Sequence, residues 1–578
     1  MSRSRRQQRM RRGQQTMHDG NGSEAAARLT EQERAVGSTE TQPIVIHQPE
    51  LHGTADTETA LPAYAPGGGG AGPRAAEGAA EPLDAEVPVV HEPAARELVA
   101  VPDVGPAGGA VVAAPDQPVP AAVPRAHSID ALRGLFLILM TLGFTIQVGM
   151  FPEWMYHRQQ DAEVAGISWR DLAYAAFVFT MAAALPITLS RRIDRGALEL
   201  GIVGAALRRG FLLFVFALMI GHSNTYFIGY TQTGRAIAVI GFLIMFALFT
   251  RRRSDWNETR FRLLNTTAWV AAIAFLALSP LLYDSTFSPA RRDQVIAELA
   301  FVAVIGAVLW YFTRANVTAR LAALAGAVAL YLGAHSDGWI AGVWWSSPFP
   351  WLVQPSQLAL LCVIVPGTIA GDHVLRWMRA SQSDEPDVKG WSGGRIALLS
   401  ALAFVLTPIV VIGLYHRWVL ETTQLSAALC AAGLLLVHRA TYPGEGMLKS
   451  LFTWAAVWLL LGLVLDPFEG GIRKVPETLS YLFTVTGLTT MLLVSMAGVV
   501  DLMKKPHWVR PLIDVGHNPM LTYILFTVFL NSIFELIPAL RPVLRDSPGA
   551  SILRSILTVV LVVLIVRAFT RARIYWRT

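Results

Sequence analysis

Fourteen apolar blocks, the first near residues 128–150 and the last near 550–569, dominate this chain of 578 residues. Each is close to the roughly 20 residues that a helix needs to cross a bilayer. Inside hydrocarbon every backbone N–H and C=O must be satisfied within the segment, so blocks of this length and composition become helices. The expected fold is therefore all-α: a polytopic membrane helix bundle of about 12–14 transmembrane helices. The blocks near 319–334 and 422–438 are short, and a re-entrant course for either gives the lower number.

Residues 1–126 follow other rules. They are rich in Ala, Pro, Gly and Glu, include APGGGGAGPRAAEGAAEPLDAEVP, and contain almost no aromatic residues. Such a composition cannot bury enough apolar surface to offset chain entropy, so a disordered cytoplasmic tail is expected, with residues 127–578 as the membrane domain. The tail begins MSRSRRQQRMRRG, and no apolar stretch of signal-peptide type follows. Its arginines suit anionic lipid headgroups as well as plain solvation.

The loops set the expected orientation. With the N-terminus inside, the cytoplasmic loops and C-terminal tail hold 25 Lys and Arg residues, including Arg191, Arg192, Arg208, Arg209 and the run at 251–253; the opposite loops hold ten. That excess places both termini in the cytoplasm, in a multi-pass protein of the plasma membrane. The net charge of +6 comes from these loops and the tail, so no nucleic-acid partner is expected. Cys362 and Cys430 lie far apart within apolar runs, which supports neither a disulfide framework nor a metal site. No Walker loop, zinc signature or G-x-S-x-G elbow occurs. Chemistry must therefore come from polar residues at helix ends.

Five places qualify. HSIDALRGLFLILM opens the first block with Asp130 and Arg133 on one helical face, suited to a local ion pair or to meeting an anionic ligand. The loop that follows carries His157, and imidazole is the side chain that takes and returns a proton near neutrality. Asp171, in the first turn of the second block, suits the positive end of the helix dipole and is equally placed to orient that imidazole. IGHSNTYFIGYTQTGRAIAVIGF sets His222, Asn224 and Arg235 around a short turn, and DVGHNPMLTYILFTVFLN carries Asn518 and Tyr523 in the first turns of a late block.

SIDALRGLFLILM, the His157 loop and WRDLAYAAFVFTMAAALPITLS, followed in order by VPGTIAGDHV, FEGGIRKVPETLSYLFTVTGL and GHNPMLTYI, resemble the heparan-α-glucosaminide N-acetyltransferase family. The family reads S-x-D-x-x-R-G, a histidine loop, W-x-x-x-x-x-D-L-V-F-P-x-F-x-F-I-M-G, and later G-M-N-x-x-x-x-Y. The resemblance, scattered over residues 127–540, implies a transmembrane acyltransferase. Such an enzyme takes the acetyl group of cytosolic acetyl-CoA and delivers it to a sugar amine or hydroxyl across the membrane, without a metal. It implies His157 and Asp171 as catalytic, Asp130 and Arg133 as cofactor-binding, and Asn518 and Tyr523 as substrate-binding. His222 and Asn224 join the expected substrate site and Arg235 the cofactor site. The expected partners are membrane lipid and a glycan or amino-sugar acceptor, and a homodimer is left open.

The chain departs from the family at Phe144, where an asparagine stands, at IAVIG in place of L-Q-R-L-G, and at Ala182 in place of glycine. Its loop from His157 to Asp171 is about four residues longer. Many spans with a few polar residues also describe a transporter or flippase, or a family member without activity, and these are the alternatives.

Overall fold

The computed structural model describes residues 126–147, 149–158, 164–283, 286–336, 338–381, 390–537 and 547–576. The expected N-terminal tail therefore lies outside the described residues, apart from Ala126. Among the described residues there is no strand beyond one isolated bridge between Thr250 and Trp576. Fourteen helices among the described residues are long and apolar enough to cross a membrane.

The first six are α1 (His127–Thr145), α2 (Trp169–Ile193), α3 (Glu199–Ser223), α4 (Gln232–Phe249), α5 (Glu258–Tyr283) and α6 (Gln294–Thr313). Then come α7 (Val317–Ala334), α8 (Pro355–Ala380), α9 (Gly393–Tyr415), α10 (Val419–Leu436), α11 (Pro443–Glu469) and α12 (Leu479–Leu502). A short helix, α13 (Arg510–His517), precedes the last two spans, α14 (Pro519–Leu536) and α15 (Pro548–Arg571). The two short blocks are the full 18-residue helices α7 and α10, each long enough to cross.

Burial separates inner helices from outer ones. α12, α2 and α8 are mostly buried, whereas α5, α7, α10 and α15 expose most of their apolar surface, as helices against lipid should. The inner helices can approach closely because small residues face each other, the usual device where lipid removes the hydrophobic drive between helices. In VPGTIAGDHV, Gly367 and Gly371 lie one turn apart on α8, against the α2 backbone at Phe179 and Ala183, where a Cβ would overlap. α12 is lined by Thr484, Thr486, Thr489 and Thr490, all buried. Thr489 and Thr490 return their hydroxyls to the helix's own carbonyls. Cys362 and Cys430 are both buried and unbridged.

Two motifs far apart in sequence meet in space. α13 lies across the first turns of α1, with Gly134 against the Leu512 carbonyl and Gly516 against the Asp130 carbonyl. At either position a Cβ would overlap backbone, so the two helices are locked in register here. This contact fixes the Asp130 end of the bundle.

Candidate active site

At the opposite end, the chain between α1 and α2 is folded by Tyr156. Its hydroxyl donates to the Gln147 carbonyl (2.9 Å) and accepts from the Phe151 N–H (2.6 Å). The loop thereby returns to the start of α2, where Ser168 and Asp171 form a reciprocal cap. Asp171 is fully buried. Its Oδ2 accepts from the Ser168 N–H (2.8 Å), the Ser168 hydroxyl (2.9 Å) and the Arg158 N–H (3.3 Å). Its Oδ1 faces His157 Nδ1 at 2.6 Å. A carboxylate can only accept, so Nδ1 donates and the lone pair of the neutral ring sits on Nε2.

The segment between α11 and α12 closes over this pair. Gly470 and Gly471 take left-handed backbone angles that glycine alone adopts without strain, and Gly471 leaves no room for a Cβ against Ala165. Arg417 holds Asp466 bidentately (2.8 and 3.0 Å), and the same carboxylate accepts from the Ile472 N–H (2.7 Å). Gly166 then donates to the Ile472 carbonyl (2.8 Å), and Tyr481 donates to the Asp171 carbonyl (2.8 Å). This clamp brings Lys474 within electrostatic reach of His157 and Asp171, and Glu477 within reach of Lys474.

Burial, reinforced by the Lys474 charge, pushes His157 down to about 4, outweighing the pull of Asp171 toward the protonated ring. The imidazole is thus neutral at physiological pH, the form that accepts a proton. Burial also pushes the Lys474 ammonium down and Glu477 up to about 7.

The polar groups continue inward. Glu298 on α6 feels the charges of Glu477 and Lys474, and accepts from the Tyr174 hydroxyl and from Gln294 Nε2 (2.6 Å). Among the described residues, neither Lys474 nor the Glu477 carboxylate has an ion-pair partner within the 4.0 Å of a salt bridge, although each lies within electrostatic reach of other charges. Tyr523, within electrostatic reach of Glu298, donates to Asp293 (2.9 Å), which caps α6 at the Ile296 N–H and which burial pushes up to about 6. Wide π turns follow Glu298 on α6 and Tyr523 on α14, a distortion common beside functional groups.

At the Asp130 end, Arg133 donates to Asp130 (3.2 Å), to the Gly516 carbonyl (3.3 Å) and to the Thr180 carbonyl of α2 (3.3 Å). His517 Nε2 lies 3.2 Å from the other Asp130 oxygen. Arg192 and Arg209 are close enough for Arg209 to feel both their charge and that of Arg133.

The structure therefore joins His157 with Asp171, Asp130 with Arg133, and Tyr523 with Asp293. The remaining expected residues have other neighbours. His222 Nδ1 pairs with the Leu218 carbonyl (3.0 Å), and the ring stacks on Phe287. Asn224 caps the short helix after α3. Arg235 lies 3.5 Å from Glu535, which also holds Arg554, well away in sequence and contacts from the Asp130–Arg133 pair. Asn518 binds the C-terminal segment through Thr570, Ile574 and Trp576. Lys474, Glu298, Asp293 and His517 were not singled out from sequence. Lys474 stands inside a quoted motif, FEGGIRKVPETLSYLFTVTGL, and His517 takes the place of methionine in G-M-N, so both left a signal.

A family model described as a domain of unknown function (DUF5009) matches residues 125–374. Human heparan-alpha-glucosaminide N-acetyltransferase is 29% identical to the chain over 101 residues, which cover 18% of this chain and 14% of the human protein. The chain is thus a polytopic helical membrane protein with a distant likeness, over part of its length, to an N-acetyltransferase.

Proposed function

We propose that the chain is an acyl-CoA-dependent acyltransferase of the plasma membrane, with both termini cytoplasmic. It moves an acetyl group from cytosolic acetyl-CoA to an amine or hydroxyl of a glycan or amino sugar on the outer side. One observation carries the reading: both candidate centres attach to α2. Asp171 opens that helix, and the Thr180 carbonyl held by Arg133 lies nine residues further along, about 14 Å at 1.5 Å per residue. A pantetheine arm has the length of about four extended residues, again about 14 Å. Phosphates held near Arg133, Arg192 and Arg209 would let the thioester reach His157.

There the acceptor's amine or hydroxyl attacks the thioester carbonyl while His157 Nε2 takes its proton. The C–N or C–O bond forms, the C–S bond breaks, and the CoA thiolate leaves. Asp171 holds the ring in the tautomer this needs and stabilises the imidazolium. Positioning both reactants across the membrane supplies much of the acceleration. A covalent acetyl-imidazole is the two-step variant of the same chemistry.

The test is acetyl transfer by purified protein from labelled acetyl-CoA to a glucosamine-like acceptor. His157→Ala should abolish transfer and retain acetyl-CoA binding. Arg133→Ala should weaken that binding by the roughly 1.5–3 kcal/mol of a charged hydrogen bond. Full turnover by His157→Ala refutes the assignment.

A further inference from the structure

The Asp130 end holds a second chemical group. His127 and Asp130 lie one turn apart at the start of α1, and His517 ends α13, which crosses it. One ligand atom from each of the three side chains comes within 4.8 Å of the other two. The closest pair, His517 Nε2 and Asp130 Oδ2, is 3.2 Å apart. Around a zinc ion with ligand bonds of about 2.0–2.2 Å, tetrahedral donors stand roughly 3.4 Å from each other. One pair is already close to that spacing, and the third donor lies within 4.8 Å of both.

The backbone beneath this group cannot drift. Gly134 and Gly516 bring α1 and α13 into contact with no room for a Cβ on either side, so the two histidines keep their separation. The two Asp130 oxygens have different partners: Oδ1 takes Arg133, and Oδ2 faces His517. A second carboxylate, Asp501, accepts from the backbone N–H groups of His127 and Ser128 and lies within electrostatic reach of Asp130. All three ligand residues are partly accessible, leaving a path for an ion and for water.

We propose that His127, Asp130 and His517 form a binding site for a divalent first-row transition metal ion, zinc fitting best, with water completing the coordination. Two imidazoles and one carboxylate are the donors such ions take from proteins. The ion would tie α1 to α13 across 390 residues of sequence and would stand beside Arg133. This inference does not rest on acyl transfer, because metal retention is measured without donor or acceptor.

The test uses the full-length, tag-free protein in detergent. It is stripped with chelator, incubated with Zn2+, desalted, and analysed for bound metal. Wild type should retain about one zinc per chain, as expected for a single mononuclear site. His517→Met and His127→Gln should fall to background, and Zn2+ should raise the thermal transition of wild type alone. Substitution with Co2+ should give the visible bands of a low-symmetry site with nitrogen ligands in wild type only, a readout that does not require the variants to fold. Wild type that retains no zinc above background overturns the proposal, as do variants that retain as much as wild type. A Co2+ spectrum of the aqueous ion does the same.

Discussion

Asp171→Asn tests the His157 centre most sharply, because it changes the hydrogen-bonding character of a buried group and hardly its shape. The carboxylate has two faces: Oδ2 accepts from Ser168 and from the Arg158 N–H, and Oδ1 accepts from His157 Nδ1. An amide can reproduce only one of them. If its oxygen keeps the Ser168 cap, its NH2 faces Nδ1. The ring must then accept there, its proton moves to Nε2, and the lone pair needed for catalysis is gone. If the amide flips, the ring is restored, but the NH2 confronts two backbone N–H donors, each costing about 1–3 kcal/mol when left unsatisfied. The first arrangement satisfies more donors and should prevail.

The rate of acetyl transfer should therefore fall about 10⁴-fold, as in a serine protease whose orienting aspartate becomes asparagine. Stability should fall by only about 1.5–3 kcal/mol, the loss of one charged hydrogen bond. Asp171→Ala differs in kind. It removes the cap and the buried charge beside Lys474 and Arg170 together, and breaking such a buried arrangement costs about 3–5 kcal/mol. Transfer rate with labelled acetyl-CoA and thermal unfolding in the same detergent separate the two variants. Wild-type turnover by a stably folded Asp171→Asn would refute the orienting role and the tautomer on which the mechanism depends.

Three further outcomes are expected. His157, pushed down to about 4 from an ordinary 6.5, is neutral in the folded protein over a range where the unfolded chain binds a proton. kcat/KM should hold until the pH falls toward about 4, and stability should decline from about pH 6.5 downward; Lys474→Met should move the acid limb of kcat/KM upward, and a wild-type limb at 6.5 unmoved by that change would contradict the assignment. Gly516→Ala places a methyl on the Asp130 carbonyl and should destabilise by about 1–3 kcal/mol or more, whereas Gly326→Ala, with nothing within 4 Å, should leave the melting temperature unchanged or raise it; equal effects would deny the α1–α13 contact. A cysteine at His157 should react with impermeant maleimide outside intact cells and one at Arg252 only after lysis, and the reverse result would invert the topology.

The membrane helices were legible because length and apolarity alone define them, and the His157–Asp171 pair was legible because both members border one loop. Other contacts depend on partners that no local pattern announces. Asn518 reads as a substrate contact until Thr570, Ile574 and Trp576, more than 50 residues later, return to its amide. Arg235 reads as a cofactor contact until Glu535, 300 residues on, comes within 3.5 Å. Lys474 was counted only as one loop charge. Its place beside Asp171 depends on the Asp466–Arg417 clamp, assembled from three separate helix ends.

Charges within the bundle fall into two kinds, and the difference bears on function. Arg320 is completely buried, yet its guanidinium is met by Asp372 (2.7 Å), Thr368 (3.2 Å) and both oxygens of Thr313 (3.2 Å each), while the Trp310 N–H donates to the same aspartate (2.8 Å). Such a saturated pair contributes to the architecture of α6, α7 and α8 and leaves nothing for a ligand to satisfy. Lys474 and Glu477 lie within electrostatic reach of each other, yet neither has an ion-pair partner among the described residues. Burying such groups without closing them into salt bridges is costly, and burial pushes both toward their neutral forms. Under the proposed function that cost falls when a polar acceptor approaches them, and His157, which feels the Lys474 charge, has its Nε2 lone pair unprotonated. Under the proposed function the open groups are the substrate contacts, and the saturated ones belong to the frame that holds the site in place.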